Sequence, residues 1–440
     1  MAEATESTRT DLSLVGNVYL RFTVIGFMYF SQGLPLGLFG VAFPTHLAEI
    51  GFTKSEIALF LTVIGLPWAF KFLAGPLMDR VAFLIYGHRR PWVVIAQLGL
   101  MITFAASAVI AGAGEPNLFV LAGCGFVLNV FASTQDVAVD GLAIGVLKEG
   151  ERSKATALMF GSQSIGRLVG MVGGGFMLEM FGVSGACIAA CLTVFLLLLL
   201  PVMLRERSVE KRFPWSSEGE IAPEILALKV DEFFPMLFDL LRKLIAPISL
   251  FFIVAFFCDS VAGGLLGAYL PSFSVIDLGW DDGAYNAWYG TIGLITAGTG
   301  LLLSPVFDYY GQRNCMVVLC VLTAVGIVAF VSIPALQQGL GWHIFMLGFW
   351  LSQHLFAVLI ISSCMELVTP RIAASQFAIY MSIANLSTTI GNFVISQVAD
   401  IWVFEVVLLL AAFFVLTAPI LFWLTNLGVR KQPSVAAKAV

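Results

Sequence analysis

Asp136 and Asp140 stand four residues apart in the apolar run "NVFASTQDVAVDGLAIGV", and Lys71 interrupts the equally apolar "GLPWAFKFLA". On a helix that spacing puts both carboxylates on one face. An ionisable group in apolar surroundings costs several kcal/mol unless it is paired or wetted. Two carboxylates sharing a lysine have two uses. Burial opposes the charged carboxylate while the ammonium favours it, a balance that suits proton uptake and release. Alternatively, the three groups form a salt bridge that ties two helices together.

Three more ionisable residues lie inside apolar runs: Arg167, Asp259 and His354. The planar fork of Arg167 can hold a carboxylate or phosphate with two hydrogen bonds, or can pair with Asp136 or Asp259 for stability alone. Asp259 is a second proton-coupling candidate, with a structural pairing as its other use. His354 suits a proton relay or a hydrogen-bonded packing role. Tyr29, Gln32, Gln135, Gln163, Tyr380 and Asn385 add neutral hydrogen-bonding groups, which serve either a sugar- or peptide-like solute or interhelical contacts. A different group, Asp79, Arg80, Arg89 and Arg90, falls in "GPLMDRVAFLIYGHRRPW", and Asp308 and Arg313 fall in a similar "SPVFDYYGQRN".

The elements that must carry these residues are membrane helices. The chain has 440 residues, 59% hydrophobic and 12% charged, with a mean hydropathy of +0.95. Breaks rich in charge or turn residues leave spans near 19–45, 55–77, 91–112, 118–146, 154–178, 182–204, 247–270, 284–305, 315–334, 342–368, 373–398 and 403–427, each of about the 20 residues needed to cross a bilayer. The chain is therefore expected to be an all-α polytopic membrane protein with 12 transmembrane helices. Of its 23 Lys and Arg, 20 fall on one side, Lys54 falls opposite, and Lys71 and Arg167 lie within spans. By the positive-inside rule both termini are cytoplasmic. The first 18 residues lack the pattern of a removable leader, so the first span is expected to remain. The seven cysteines have no metal-ligand spacing and are expected as packing residues.

A polar interval, 205–246, carries seven basic residues and divides the chain into a tail (1–18), a six-helix bundle (19–204), this cytoplasmic linker, a second bundle (247–427) and a tail (428–440). The halves echo one another: Pro76, Asp79, Gly87 and Arg89 align with Pro305, Asp308, Gly311 and Arg313. No HExxH, nucleophile–base pair or phosphate loop is present, which argues against an enzyme, and nothing points to nucleic acid.

Two homologous six-helix bundles joined by a cytoplasmic linker resemble the major facilitator superfamily, whose pseudo-symmetric halves rock about a midplane site. The Gly-x-x-x-Asp-Arg run followed by Gly-x-Arg-Arg resembles that superfamily's loop between spans 2 and 3. The resemblance implies that Asp79, Arg80, Arg89, Arg90, Asp308 and Arg313 latch the cytoplasmic side and release it during transport. A plain positive-inside anchor is the other use of Arg89 and Arg90.

Longer words resemble one family within it, the AmpG-type permeases, which carry anhydro-muropeptides, acetyl-CoA or siderophores: "SQGLPLGL" (31–38), "LPWAFKFLAGPLMDR" (66–80), "GHRRPWVVIAQ" (87–97), "STQDVAVDGLAIGVLKEGER" (133–152) and "ASQFAIY" (374–380). Lys71 matches the family's lysine in span 2, Gln135, Asp136 and Asp140 its Gln-Asp-x-x-x-Asp signature, and Ser375, Gln376 and Phe377 the opening of span 11. Two positions on expected solute-facing surfaces depart from the muropeptide pattern: Ser164 replaces an arginine, with Arg167 one turn later, and Phe256 replaces a lysine. The resemblance implies a proton-coupled importer of a polar anionic solute, a monomer in the inner membrane among lipids, with no cofactor beyond the proton gradient. Carriage of acyl-CoA or a siderophore, or a non-transporting chaperone or sensor role, are the alternatives.

Overall fold

The computed structural model describes residues 13–81, 83–111, 117–148, 151–213, 215–216, 219–221, 242, 245–337, 339–367 and 373–423. Most of the expected linker and the 428–440 tail lie outside these residues. The described chain is helical apart from turns and short connections. Among the described residues, ten stretches are long and apolar enough to cross a membrane. One of them, Leu158–Met203, is broken at Gly182, where φ is 64° and ψ is −167°, at the sequence junction between spans 5 and 6. A positive φ of this kind is open to glycine and strained for other residues.

Helix α1 (Val18–Glu49) starts at Asn17, whose side chain accepts hydrogen bonds from the amides of Tyr19 and Leu20 at 3.0 and 3.3 Å. Pro35 lies inside α1, and the helix widens just beyond it into a π turn at Leu38–Ala42. Helix α2 (Lys54–Met78) opens with a capping box of Thr53 and Glu56. Past Pro67 it tightens into a 3-10 turn at Lys71–Leu73, so the lysine sits at an irregularity rather than on a straight helix.

Then come α3 (Arg90–Ile110), α4 (Leu118–Val146), α5 (Arg152–Leu168), a π turn at Val169–Gly173, and α6 (Gly174–Met203). The remainder forms α7 (Pro247–Ile276), α8 (Asp282–Tyr310), α9 (Gln312–Ser332), α10 (Leu340–Leu367), α11 (Ala373–Val398) and α12 (Phe404–Trp423).

The chain forms two compact units, one of residues 1–233 with 270–290, the other of 234–269 with 291–440. The hairpin joining α7 to α8 therefore clusters with the first unit, although sequence order puts it in the second bundle. In the first unit α1 packs on α5, α3 on α6, and α2 on α4; in the second, α9 packs on α12. The α3–α6 and α9–α12 pairs occupy matching places in the two halves of the sequence.

Glycines carry a second echo. A Cβ on Gly33, Gly37, Gly166 or Gly170 would overlap a backbone carbonyl of the facing helix, so α1 and α5 meet backbone to backbone. In the second unit Gly264 of α7 meets the Thr388 carbonyl, and Gly391 of α11 meets that of Val261. The spacing of Gly166 and Gly170 thus serves helix packing. All seven cysteines are free thiols.

Candidate functional site

The 3-10 turn in α2 presents Lys71 to α4, where its Nζ lies 2.7 Å from Asp136 Oδ2. The two side chains are 11% and 8% exposed, so this ion pair is largely shielded from solvent. The ammonium also lies 5.5 Å from the centre of the Trp68 ring, a cation–π contact that fixes its approach. Trp68 in turn donates to Asn129 Oδ1 at 2.7 Å. One turn beyond Asp136, Asp140 accepts a hydrogen bond from the phenol of Tyr29 on α1. Gln135, beside Asp136, donates to the Met28 carbonyl at 2.9 Å and joins α4 to α1. Lys71, Asp136, Asp140 and Tyr29 therefore form one polar seam across α2, α4 and α1. Two carboxylates against one ammonium leave the seam one proton short of neutrality, and a tyrosine hydroxyl can hold either state of its partner.

A second polar group follows α5. Gln163 donates to Gln32 Oε1 at 3.3 Å. One turn on, Arg167 directs Nη2 to the Tyr289 hydroxyl at 3.4 Å and lays its guanidinium 5.8 Å from the centre of that ring. Tyr285 stacks on Tyr289 with centroids 6.1 Å apart. Three atoms here are buried without a hydrogen-bond partner: Arg167 Nε, Gln32 Nε2 and the Tyr285 hydroxyl. Buried polar atoms are ordinarily satisfied, so this group is a place where a bound acceptor would be stabilised. Tyr289 and Tyr285 had no sequence signal of their own, since a tyrosine in an apolar helix reads as packing.

In the second unit Asp259 is 3% exposed, and its Oδ1 faces Gln353 Nε2 at 3.5 Å and Cys320 Sγ at 3.8 Å. Among the described residues no cation forms an ion pair with it. His354 Nδ1 lies 2.6 Å from the carbonyl of Trp350 on its own helix. Tyr380 is fully buried and accepts from Gln376 at 2.9 Å. Asn385 is half-buried on α11. Phe256 is fully buried with its ring edge-on to Phe252, so it belongs to the core and not to a solute-facing surface. Ser164 returns its hydroxyl to the Phe160 carbonyl at 2.9 Å.

The charged connection between α2 and α3 is bound to the start of the linker. Arg90 donates to the carbonyls of Pro201, Val202, Tyr86, Lys211 and Arg212. Glu206 accepts from the amides of Arg89 (2.6 Å) and Arg90, placing a carboxylate at the start of α3 where the helix dipole favours it. Gly87 has a φ of 116°, and a Cβ there would lie 2.8 Å from Glu206 Oε1, so the turn requires glycine. Burial, and then the charge of Glu206, push the neighbouring Glu210 carboxyl up to about 7. Arg89 lies along α4, its Nε 2.8 Å from where a Cβ on Gly141 would be.

Arg21 completes this end of the unit, bonding Glu151 at 2.8 Å and the carbonyls of Leu14 and Val15. Arg313 is half-buried in the first turn of α9, beside Gln312, which bonds Ser362 and Ser363 of α10. The side chains of Asp79, Arg80 and Asp308 lie outside the described residues.

The family model of the Major Facilitator Superfamily matches residues 25–391. The chain is similar to the anhydromuropeptide permease of Escherichia coli K12, at 28% identity over 34% of this chain and 30% of that one. It is also similar to the putative transporter AmpG 3 of Rickettsia prowazekii, at 26% identity over 35% of this chain and 37% of that one. These matches span about a third of each curated relative. Among solved structures, the D-xylose-proton symporter superposes with a TM-score of 0.71 at 13% identity, over 92% of this chain and 97% of that one, which shows the shared fold.

Proposed function

The chain belongs to the Major Facilitator Superfamily, and we propose that it is an AmpG-like secondary transporter that imports a polar anionic solute, such as an anhydro-muropeptide, together with protons. The observation that carries the coupling is the shielded seam of Lys71, Asp136, Asp140 and Tyr29. Uptake of one proton makes it neutral, and its release restores a negative charge beside the lysine. A charge change of that kind, buried between three helices, can bias a rocking equilibrium. Arg167, Gln32, Gln163 and the tyrosine pair supply donors for an anionic, hydrogen-bonding solute. Asp259 is proposed as a second protonatable group, and the Arg89–Arg90 segment as part of a cytoplasmic latch. The protein works as a monomer in the inner membrane, with both termini cytoplasmic and no cofactor other than the proton gradient.

The test is uptake into proteoliposomes under an imposed pH gradient, using anhydro-muropeptides, acyl-CoA compounds and siderophores in parallel. Gradient-dependent uptake of a muropeptide is expected. Uptake of another class alone would move the specificity, and no flux of any class by folded protein would overturn the transport reading.

A further inference from the structure

Helix α1 ends in "THLAEIGF" and α8 begins in "DDGAYN", and the structure brings these two ends together within the first unit. His46 and Glu49 are three residues apart on the last turn of α1, so their side chains share a face. Facing them is Asp282, the first residue of α8. His46 Nδ1 lies 3.6 Å from Asp282 Oδ2. One atom from each of the three side chains, an imidazole nitrogen and two carboxylate oxygens, falls within 4.8 Å of the others.

Two observations point to a ligand here. Asp282 is 4% exposed, and its Oδ2 is buried without a hydrogen-bond partner. The nearby charges are engaged elsewhere: Lys54 pairs with Asp277 at 2.9 Å, and Asp281 caps the amide of Ala284 at 2.9 Å. Two carboxylates so close together repel unless a cation or a shared proton lies between them.

We propose that His46, Glu49 and Asp282 bind a divalent transition-metal cation of the zinc class. An imidazole with two carboxylates suits such an ion, whereas calcium and magnesium favour all-oxygen shells with more ligands. Metal–ligand bonds of about 2.0–2.2 Å need donor atoms roughly 3.3–3.5 Å apart. The His46–Asp282 pair already lies near that separation, and exposed Glu49 has room to complete the set. Three protein ligands leave a fourth position for water. The bound ion staples α1 to the 270–290 hairpin. Resting on the transporter reading, the ion would hold together these two elements, which come from different halves of the sequence, and slow turnover.

The test is titration of purified, tag-free protein in detergent with Co²⁺, followed by visible absorption, and with Zn²⁺, followed by calorimetry. One saturable site per chain is expected, weakened more than about 100-fold in Glu49→Gln and in His46→Gln. Glu49 is exposed, so its variant retains the fold and guards against loss by unfolding. Absence of saturable binding, or binding in both variants as tight as in the unsubstituted protein, would overturn the proposal. Neither readout uses transport: failure of metal binding beside normal uptake rejects the site alone, and metal binding without any uptake rejects the transporter reading alone.

Discussion

Lys71 Nζ approaches Asp136 Oδ2 to 2.7 Å, joining the tightened turn of α2 to the middle of α4 in a setting that shields both charges. Such a pair adds little net stability over an apolar replacement, yet is costly to break from one side.

Lys71→Met alone, or Asp136→Leu alone, should therefore lower stability by about 3–5 kcal/mol, seen as a fall in Tm. The double variant should recover most of that loss. Proton-driven uptake should stay absent in the double variant if the pair couples transport, and return with Tm if it only joins helices. Asp136→Asn separates the two functions further: gradient-driven uptake should vanish while solute counterflow persists.

Arg167→Ala should weaken solute binding by about 10–100-fold, the worth of a hydrogen bond to a charged partner, with a small change in Tm. Arg167→Lys should recover only part of the affinity, because it keeps the charge and loses the fork. Binding measured by fluorescence quenching or calorimetry decides this. Normal affinity with a lowered Tm would reduce Arg167 to a stabilising contact with Tyr289.

Gly166→Ala should be harmful and Gly161→Ala tolerated, although both lie on α5. A Cβ at Gly166 overlaps the Phe30 carbonyl, while at Gly161 it meets nothing within 4 Å. Overpacking costs about 1–3 kcal/mol and more against backbone, whereas Gly to Ala in an open helical position is worth up to about 1 kcal/mol in the other direction. Thermal melts of the two variants test the contrast.

The linker clasp should loosen as pH rises. Glu210 holds its proton up to about 7 in the folded clasp, from burial and then from Glu206, whereas an unfolded glutamate releases it near the ordinary value of about 4.3. The folded form binds more protons between those limits, so its stability is greatest below the lower one and falls as pH climbs through about 7, by roughly 2 kcal/mol. Amide exchange across 205–213, corrected for its intrinsic pH dependence, should show faster opening at pH 8 than at pH 6. Glu210→Gln should remove that difference.

The helical architecture and the Lys71–Asp136 pair were legible in the sequence because charge is scarce in this chain. With so few ionisable residues in apolar runs, a lysine and a carboxylate at similar depth have few other partners. The Arg167–Tyr289 contact was not legible, since a tyrosine among 38 phenylalanines and nine tryptophans carries no mark of its role. His46 and Asp282 are far apart in the chain and share no motif, so only folding shows their approach. Arg90 looked like a surface anchor or gate by charge, but its five carbonyl acceptors come from backbone, which side-chain patterns do not reveal.

The seating of glycines against facing carbonyls between α1 and α5 has a mechanical consequence. Two helices seated carbonyl against glycine cannot slide or roll without collision, so they behave as one stiff beam. Bending must be sought where the hydrogen-bond ladder is already irregular: the π turns at Leu38–Ala42 and Val169–Gly173, and the 3-10 turn that carries Lys71. A charge change at that lysine would thus act at a joint rather than along a beam.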